Sequence, residues 1–413
     1  MADARPRLRP LEAFPVEHDG QRLIALRDPS GFTDQVIMLP MPLLDLVSLF
    51  DGEHSLEEIR GILHARHGDG APSVEQIATV AQGLDEHGFL DGERFAERRR
   101  AVETAFRESP VRPAAHAGGA YAGEPAALAA QIDGFFAHAD GPGVTALSET
   151  STDGHPPLRG LIAPHVDFHR GGPTYAWAYR ELLARSDADL FVILGTCHAG
   201  MADPFSVTVK PFETPLGPVP VDREFVERVS RRYRDDLFTS EAAHRSEHSI
   251  EFQAVMLQRL LGERRPFTIV PVLASYVHEA VWAGCDPEGD RRVPRFIDAL
   301  LETMAATSRR VCLVAGVDLA HVGPRFGDPA PNTPEFLAAV ERDDRNMLEA
   351  VVDGDATAFY ASIAHDGDRR RICGLSPIYT FLRALPGVRG RLVRYSQWPD
   401  REGAVTFCAA AFP

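Results

Sequence analysis

Short apolar runs punctuated by turn residues open the chain. Leu23 to Leu26 and Val36 to Leu39 flank Asp28-Pro29-Ser30-Gly31, a pattern that predicts a β-hairpin. A short helix is expected from about Pro42 to Phe50, stopping at Gly52. Ser55 and Glu58 then form a capping-box pair, and Leu56, Ile59, Ile62 and Leu63 give the next helix one apolar face. After the breaker Gly68-Asp69-Gly70-Ala71-Pro72, Ser73 and Gln76 repeat the capping pattern. Val74, Ile77, Val80, Ala81 and Leu84 mark a third amphipathic helix that ends at Gly88-Phe89-Leu90. An arginine-rich helical stretch, Phe95 to Arg107, leads to Pro110 and Pro113. The pattern predicts a small α+β domain over 1–95, a helical linker over 96–113 and a larger domain over 114–413.

Beyond residue 114 the period changes. Short β-rich runs alternate with helical stretches, as in an α/β domain built on a largely parallel sheet. Strands are expected at Leu161 to Ala163, Leu190 to Leu194, Phe205 to Val209, Phe267 to Leu273, Val311 to Val317, Leu392 to Ser396 and Val405 to Ala410. Gly141 to Pro157, rich in Gly, Pro, Ser and Thr, reads as a loop inside this domain.

Composition narrows the function classes. With 413 residues, 44% hydrophobic and 25% charged, the chain is of ordinary globular make-up. Its net charge of -16 opposes nucleic acid and anionic membrane surfaces, and the first 100 residues alone carry 11 arginines against 18 acidic residues. No apolar run reaches the ~18 residues of a membrane helix. The opening Met-Ala-Asp-Ala-Arg-Pro-Arg lacks the apolar core of an export signal. Five scattered cysteines (Cys197, Cys285, Cys312, Cys373 and Cys408) suit a reducing compartment, so the cytoplasm is the expected location.

The candidate chemistry sits at strand ends. Ile162-Ala163-Pro164-His165, Ile193-Leu194-Gly195-Thr196-Cys197-His198 and Ala315-Gly316-Val317-Asp318-Leu319-Ala320-His321 each leave a strand with groups that bind metal or move protons. Ligands in open α/β sheets bind beyond the carboxyl ends of parallel strands, so the three ends can share one crevice. In Arg371-Ile372-Cys373-Gly374-Leu375-Ser376-Pro377 a cysteine precedes a helix that Ser376 is expected to cap and Pro377 to begin, a setting that favours a thiolate. Glu247-His248-Ser249-Ile250-Glu251 opens an amphipathic helix; its carboxylates, taken alone, read as solvated end charges.

Two resemblances follow. The hairpin, its helices and Leu49-Phe50-Asp51-Gly52-Glu53-His54-Ser55-Leu56-Glu57-Glu58-Ile59 resemble PqqD-like, winged-helix-type domains, which implies peptide binding along a hairpin edge. From about 115 to 413 the series resembles the Memo family, protein B of the AmmeMemoRadiSam set. It comprises His116-Ala117-Gly118-Gly119-Ala120-Tyr121, Ala163-Pro164-His165, Leu194-Gly195-Thr196-Cys197-His198, Glu247-His248-Ser249-Ile250-Glu251, Asp318-Leu319-Ala320-His321, Ile372-Cys373-Gly374 and Tyr395-Ser396-Gln397. This resemblance implies a fold like that of class III extradiol dioxygenases and an iron or copper ion held by His165, His198 and Cys373. It also implies a radical-SAM enzyme as partner and a small-molecule or peptide substrate. In a dioxygenase-like reading His321 is the acid/base, with Asp318 and His248 orienting ligands or binding substrate.

The donor types agree on physical grounds, since imidazole and thiolate suit iron, copper and zinc rather than magnesium or calcium. The chain departs from the family pattern in Val166-Asp167-Phe168-His169 and in Cys197, which brings a thiol near the metal position. Two alternatives stand beside the redox reading. One is a zinc hydrolase using His165, Asp167 and His169; the other is a non-catalytic metal carrier or scaffold.

Overall fold

The computed structural model describes residues 4–143, 156–329 and 331–413, so the loop expected at Gly141 to Pro157 lies largely outside the described residues. The chain divides into two compact units, Met1–Ser109 and Pro110–Pro413.

The first unit pairs an antiparallel sheet, β1 (Glu12–His18), β2 (Gln21–Arg27) and β3 (Val36–Pro40) in that order, with helices Met41–Val47, Leu56–His67, Val74–Glu86 and Glu93–Glu108. The hairpin and its helices follow the expected pattern, and both capping boxes form. β1 is the addition. Its residues are mostly exposed, so it lacks an apolar face to betray it. It is joined to β2 by Asp19-Gly20, both at positive φ (50° and 73°), the geometry a two-residue hairpin turn requires.

In the second unit one mixed sheet runs in the order β10-β11-β4-β8-β5-β7-β6. The strands are β4 (Gly160–Ala163), β5 (Leu190–Thr196), β6 (Phe205–Val207), β7 (Thr268–Ala274), β8 (Val311–Gly316), β10 (Arg391–Pro399) and β11 (Ala404–Phe412), with the short β9 (His321–Val322) pairing β11. β4, β8, β5 and β7 are parallel neighbours, whereas β6, β9, β10 and β11 pair antiparallel. The expected parallel sheet is thus the centre of a mixed one. The sequence distinguishes the two poorly because β11 is buried along its whole length, as the parallel strands are.

Alternate residues of the central strands feed two core layers. Leu190, Val192, Leu194, Val270 and Val272 pack on one face; Phe191, Ile193, Ile269, Leu273 and Val314 pack on the other. Among the described residues no helix is long and apolar enough to cross a membrane.

Candidate metal centre

β4, β8 and β5 are adjacent and parallel, and the register aligns Ala163 with Gly316 and Gly195 with Gly316. Two residues further on stand His165, Asp318 and Cys197, with His198 one beyond, so three polar strand ends open at one edge. The helix His248–Leu261 brings a fourth group because glycines let its first turn lie against the sheet. A Cβ on Gly195 would come within 2.5 Å of Ser249 Oγ, and one on Gly316 would run into the Ser249 carbonyl oxygen.

Among the described residues, one group offers donor atoms placed to hold a metal ion. His165, His198 and His248 contribute one nitrogen each, all within 4.8 Å of one another. His198 and His248 are stacked at 4.5 Å, and His165 meets them edge-on at 4.8 and 5.0 Å. Side-chain exposure rises from 2% at His165 through 28% at His248 to 35% at His198, so the cluster runs from a buried floor to an open mouth. Burial, reinforced by neighbouring His198, pushes His165 down to about 3 and His248 well below its ordinary range. Neutral imidazoles are the form a metal needs.

Hydrogen bonds assign the tautomers. His165 Nδ1 lies 3.0 Å from the Gly316 carbonyl oxygen and His198 Nδ1 lies 3.0 Å from Glu247 Oε1. Carbonyl and carboxylate oxygens only accept, so each Nδ1 carries the proton and each Nε2 is the acceptor nitrogen of its ring.

Cys373 meets the floor of the cluster, its Sγ 3.3 Å from His165 Nε2 and 3.6 Å from the Asp318 carbonyl oxygen. The loop that delivers it holds two non-glycine residues at positive φ, Asp368 (55°) and Arg371 (53°). It is pinned by the buried Arg370–Asp344 pair, by Arg371 donating to Asp328 at 2.6 Å and to the His321 carbonyl at 2.9 Å, and by the Ile372 N–H on Asp368. The expected Ser376 cap does not form. The helix is Leu375–Ala384 with Gly374 at its N-cap, and Ser376 lies inside it. Ser376 Oγ instead accepts the N–H groups of Tyr276 and Val277 at the start of a neighbouring helix. Nor does the setting favour a free thiolate: burial, then the Asp318 charge, pushes the Cys373 thiol well up.

Asp318 Oδ1 accepts the His165 N–H at 2.9 Å and Oδ2 lies 3.7 Å from His165 Nε2; burial raises this carboxyl to about 6. His321 has Nδ1 3.2 Å from the Leu319 carbonyl oxygen, so a backbone group rather than Asp318 sets its tautomer. Burial holds its pKa down although Asp318 opposes this.

Behind the imidazoles lies a buried polar layer that sequence reasoning took for solvated helix-end charges. Glu247 accepts the His198 N–H at 2.8 Å and the Ser249 N–H at 2.9 Å. Burial disfavours its charge, but His198, His248 and these bonds hold it well below the usual carboxylate range. Glu251 is fully buried; it pairs with the fully buried Arg112 and accepts the Tyr121 hydroxyl and the His116 N–H. The His116-to-Tyr121 motif is therefore a turn that serves Glu251. Arg112 carried no motif of its own and was missed.

Cys197 packs in a core layer, and burial followed by the Glu247 charge pushes its thiol up to about 12, so it acts as a small apolar group. His169 is exposed with Nε2 3.3 Å from Arg170, and Asp167 is 3.8 Å from Arg170. Neither residue belongs to the metal-capable group of three histidines among the described residues, and nor does Cys373, whose sulfur meets His165.

Comparison with known proteins agrees with the strand-end pattern. The Memo-like protein family model matches residues 112–408. A MEMO1 family protein of Aquifex aeolicus is 29% identical over 390 residues, 94% of each chain, and one of Thermus thermophilus is 27% identical over 342 residues, 83% of this chain and 93% of its own. A MEMO1 family protein of Methanopyrus kandleri is 29% identical over 299 residues, 71% of this chain but 94% of its own, a match the size of the second unit alone. The family match spans Arg112 to Cys408, and with it every residue of the cluster: the chain belongs to the Memo-like family.

Proposed function

We propose that the protein is a metal-dependent redox protein, with iron or copper held by His165, His198 and Cys373 and with His248 beside them. The observation that carries this reading is the juxtaposition of three imidazoles, donor atoms within 4.8 Å, with a cysteine sulfur 3.3 Å from His165 Nε2. The donor set fits such an ion, because nitrogen and sulfur select first-row transition metals over magnesium or calcium. Bound there, the metal would supply one-electron chemistry and an open position for a small molecule, and its charge would draw the proton from the raised Cys373 thiol.

The chain's own residues set the rest. His165 and His198 present Nε2. Asp318 holds the His165 backbone through the bond to its N–H, and with a carboxyl near 6 it can hold or release a proton beside the floor. His321, fixed at Nδ1 by Leu319, offers Nε2 as the acid/base, and half-buried His248 guards the mouth or completes the donor set.

The exposed edge of β3, where Val36 and Met38 are 45% and 48% exposed, supports peptide docking to a PqqD-like first unit, as β-strand addition would require. On this reading the protein serves a radical-SAM-associated modification pathway in the cytoplasm, with a peptide or small-molecule substrate and no nucleic-acid or membrane partner.

One observation favours a second reading. If His248 and Cys373 both ligate, four protein donors surround the ion, a closed set typical of structural or carrier sites. Metal analysis of anaerobically purified protein, followed by oxygen exposure, separates the two. Iron or copper that changes oxidation state supports the redox reading, and a zinc ion indifferent to oxygen contradicts it.

A further inference from the structure

We infer that Glu247 is the positioning residue of the centre, one carboxylate that fixes the tautomer of His198 and the placement of both His198 and His248. Oε1 is 3.0 Å from His198 Nδ1, a hydrogen bond, and 3.4 Å from His248 Nδ1, a close polar contact, so one oxygen faces both stacked rings on their Nδ1 side. Oε2 lies 3.1 Å from the same His198 Nδ1 and accepts the His198 backbone N–H. His198 is thereby held with Nε2 as its acceptor nitrogen. Both oxygens of Glu247 face N–H donors, Oε1 those of Ser249 and His198 Nδ1 and Oε2 that of the His198 backbone, which places this carboxylate behind the donors rather than among them.

Glu247 is itself held from several sides. It caps the helix His248–Leu261 by accepting the Ser249 N–H, and the Ser249 hydroxyl donates to the Thr196 carbonyl at the end of β5. Its own carbonyl accepts from Arg112 at 2.6 Å, and Arg112 is anchored by Glu251 and by the carbonyls of Pro113 and His244. Position is therefore imposed from the buried layer outward. His165 differs: its Nδ1 partner is a main-chain carbonyl that no substitution removes. Free imidazole in water favours the proton on Nε2, so without Glu247 the lone pair of His198 would turn to the wrong nitrogen. Carboxylate–imidazole–metal arrangements of this kind raise ligand basicity, and losing the outer partner costs ~10–100-fold in metal affinity.

The consequence for affinity rests on the metal-centre reading; the tautomer lock belongs to the metal-free chain and is read separately. The full chain, with ¹⁵N-labelled histidine, is compared as wild type, Glu247→Ala and Glu247→Gln by long-range ¹H–¹⁵N correlation and by Co(II) titration. Wild type should show His198 protonated at Nδ1. Glu247→Ala should move that proton toward Nε2 and weaken Co(II) binding by ~10–100-fold. Glu247→Gln, whose amide oxygen can still face His198 Nδ1 but whose NH2 group replaces the acceptor of the His198 backbone N–H, should keep the tautomer and lose about tenfold, the lower end of that range. A switched tautomer in a protein whose wild type binds no cobalt would overturn the metal reading and leave the positioning role supported. An unchanged His198 tautomer in Glu247→Ala would overturn the inference. So would undiminished Co(II) affinity in Glu247→Gln, even if the alanine variant failed to fold.

Discussion

The Cys373 sulfur lies 3.3 Å from His165 Nε2, across 208 residues of chain. The contact joins a strand end to a strained loop, and burial keeps the thiol well above its ordinary range in the metal-free protein. A protonated, half-buried thiol is a poor nucleophile. Iodoacetamide at neutral pH should therefore label the exposed Cys285 well before Cys373, as read by peptide mass spectrometry. Equal labelling rates would show that Cys373 is a free thiolate.

The loop bearing Cys373 also predicts a pH effect. Burial raises Asp368 to about 6 from an ordinary 3.8. A folded-state value above the unfolded one means stability that is complete below the unfolded value and is lost as pH climbs through the folded one. Asp368→Asn keeps the acceptor for Ile372 and is at ease at positive φ. Its advantage over wild type should grow between about pH 4 and 6 and then level off at ~2 kcal/mol, a two-unit shift discounted for incomplete burial. Urea unfolding across that range is the check, and a difference that does not vary with pH would contradict the assignment.

Arg112 and Glu251 form a fully buried ion pair. Arg112→Ala strands a buried carboxylate together with the carbonyls of His244, Pro113 and Glu247. Stability should fall by ~3–5 kcal/mol in denaturant unfolding. A loss under ~1 kcal/mol would mean that water reaches Glu251 and that the layer behind the imidazoles is not dry.

The two units predict a separable protein. A fragment over 110–413 should fold, because its sheet and both its core layers lie within it, and should bind Co(II) with the affinity of the full chain. Circular dichroism and cobalt titration test this. A folded fragment that has lost its affinity would place part of the site in the first unit.

Much of this was legible in the sequence for a physical reason. Buried central strands read as apolar runs, and the polar residues ending them stand out, so β4, β5 and β8 and with them His165, His198 and Asp318 were found directly. β1 was not, because an exposed edge strand has no apolar face. The meaning of Glu247 and Glu251 was hidden because charged residues at a helix start are usually solvated. What buries them is the absence of side chains on Gly195 and Gly316, which lets the helix approach, together with an arginine 135 residues away from Glu247. Ser376 misled for a related reason: a serine near a helix start reads as that helix's own cap, whereas this one serves a different helix.

The central claim is that His165, His198 and Cys373 bind one transition-metal ion. Its most direct test is Co(II) titration of the metal-free full chain followed by absorption spectroscopy, in wild type, His165→Ala, His198→Ala and Cys373→Ser. The account predicts one ion per chain, a sulfur-to-cobalt charge-transfer band that Cys373→Ser abolishes, and affinity weakened by at least ~100-fold in either alanine variant, beyond what loss of an outer partner costs. A bound ion without that band, or full affinity in His198→Ala, would contradict it.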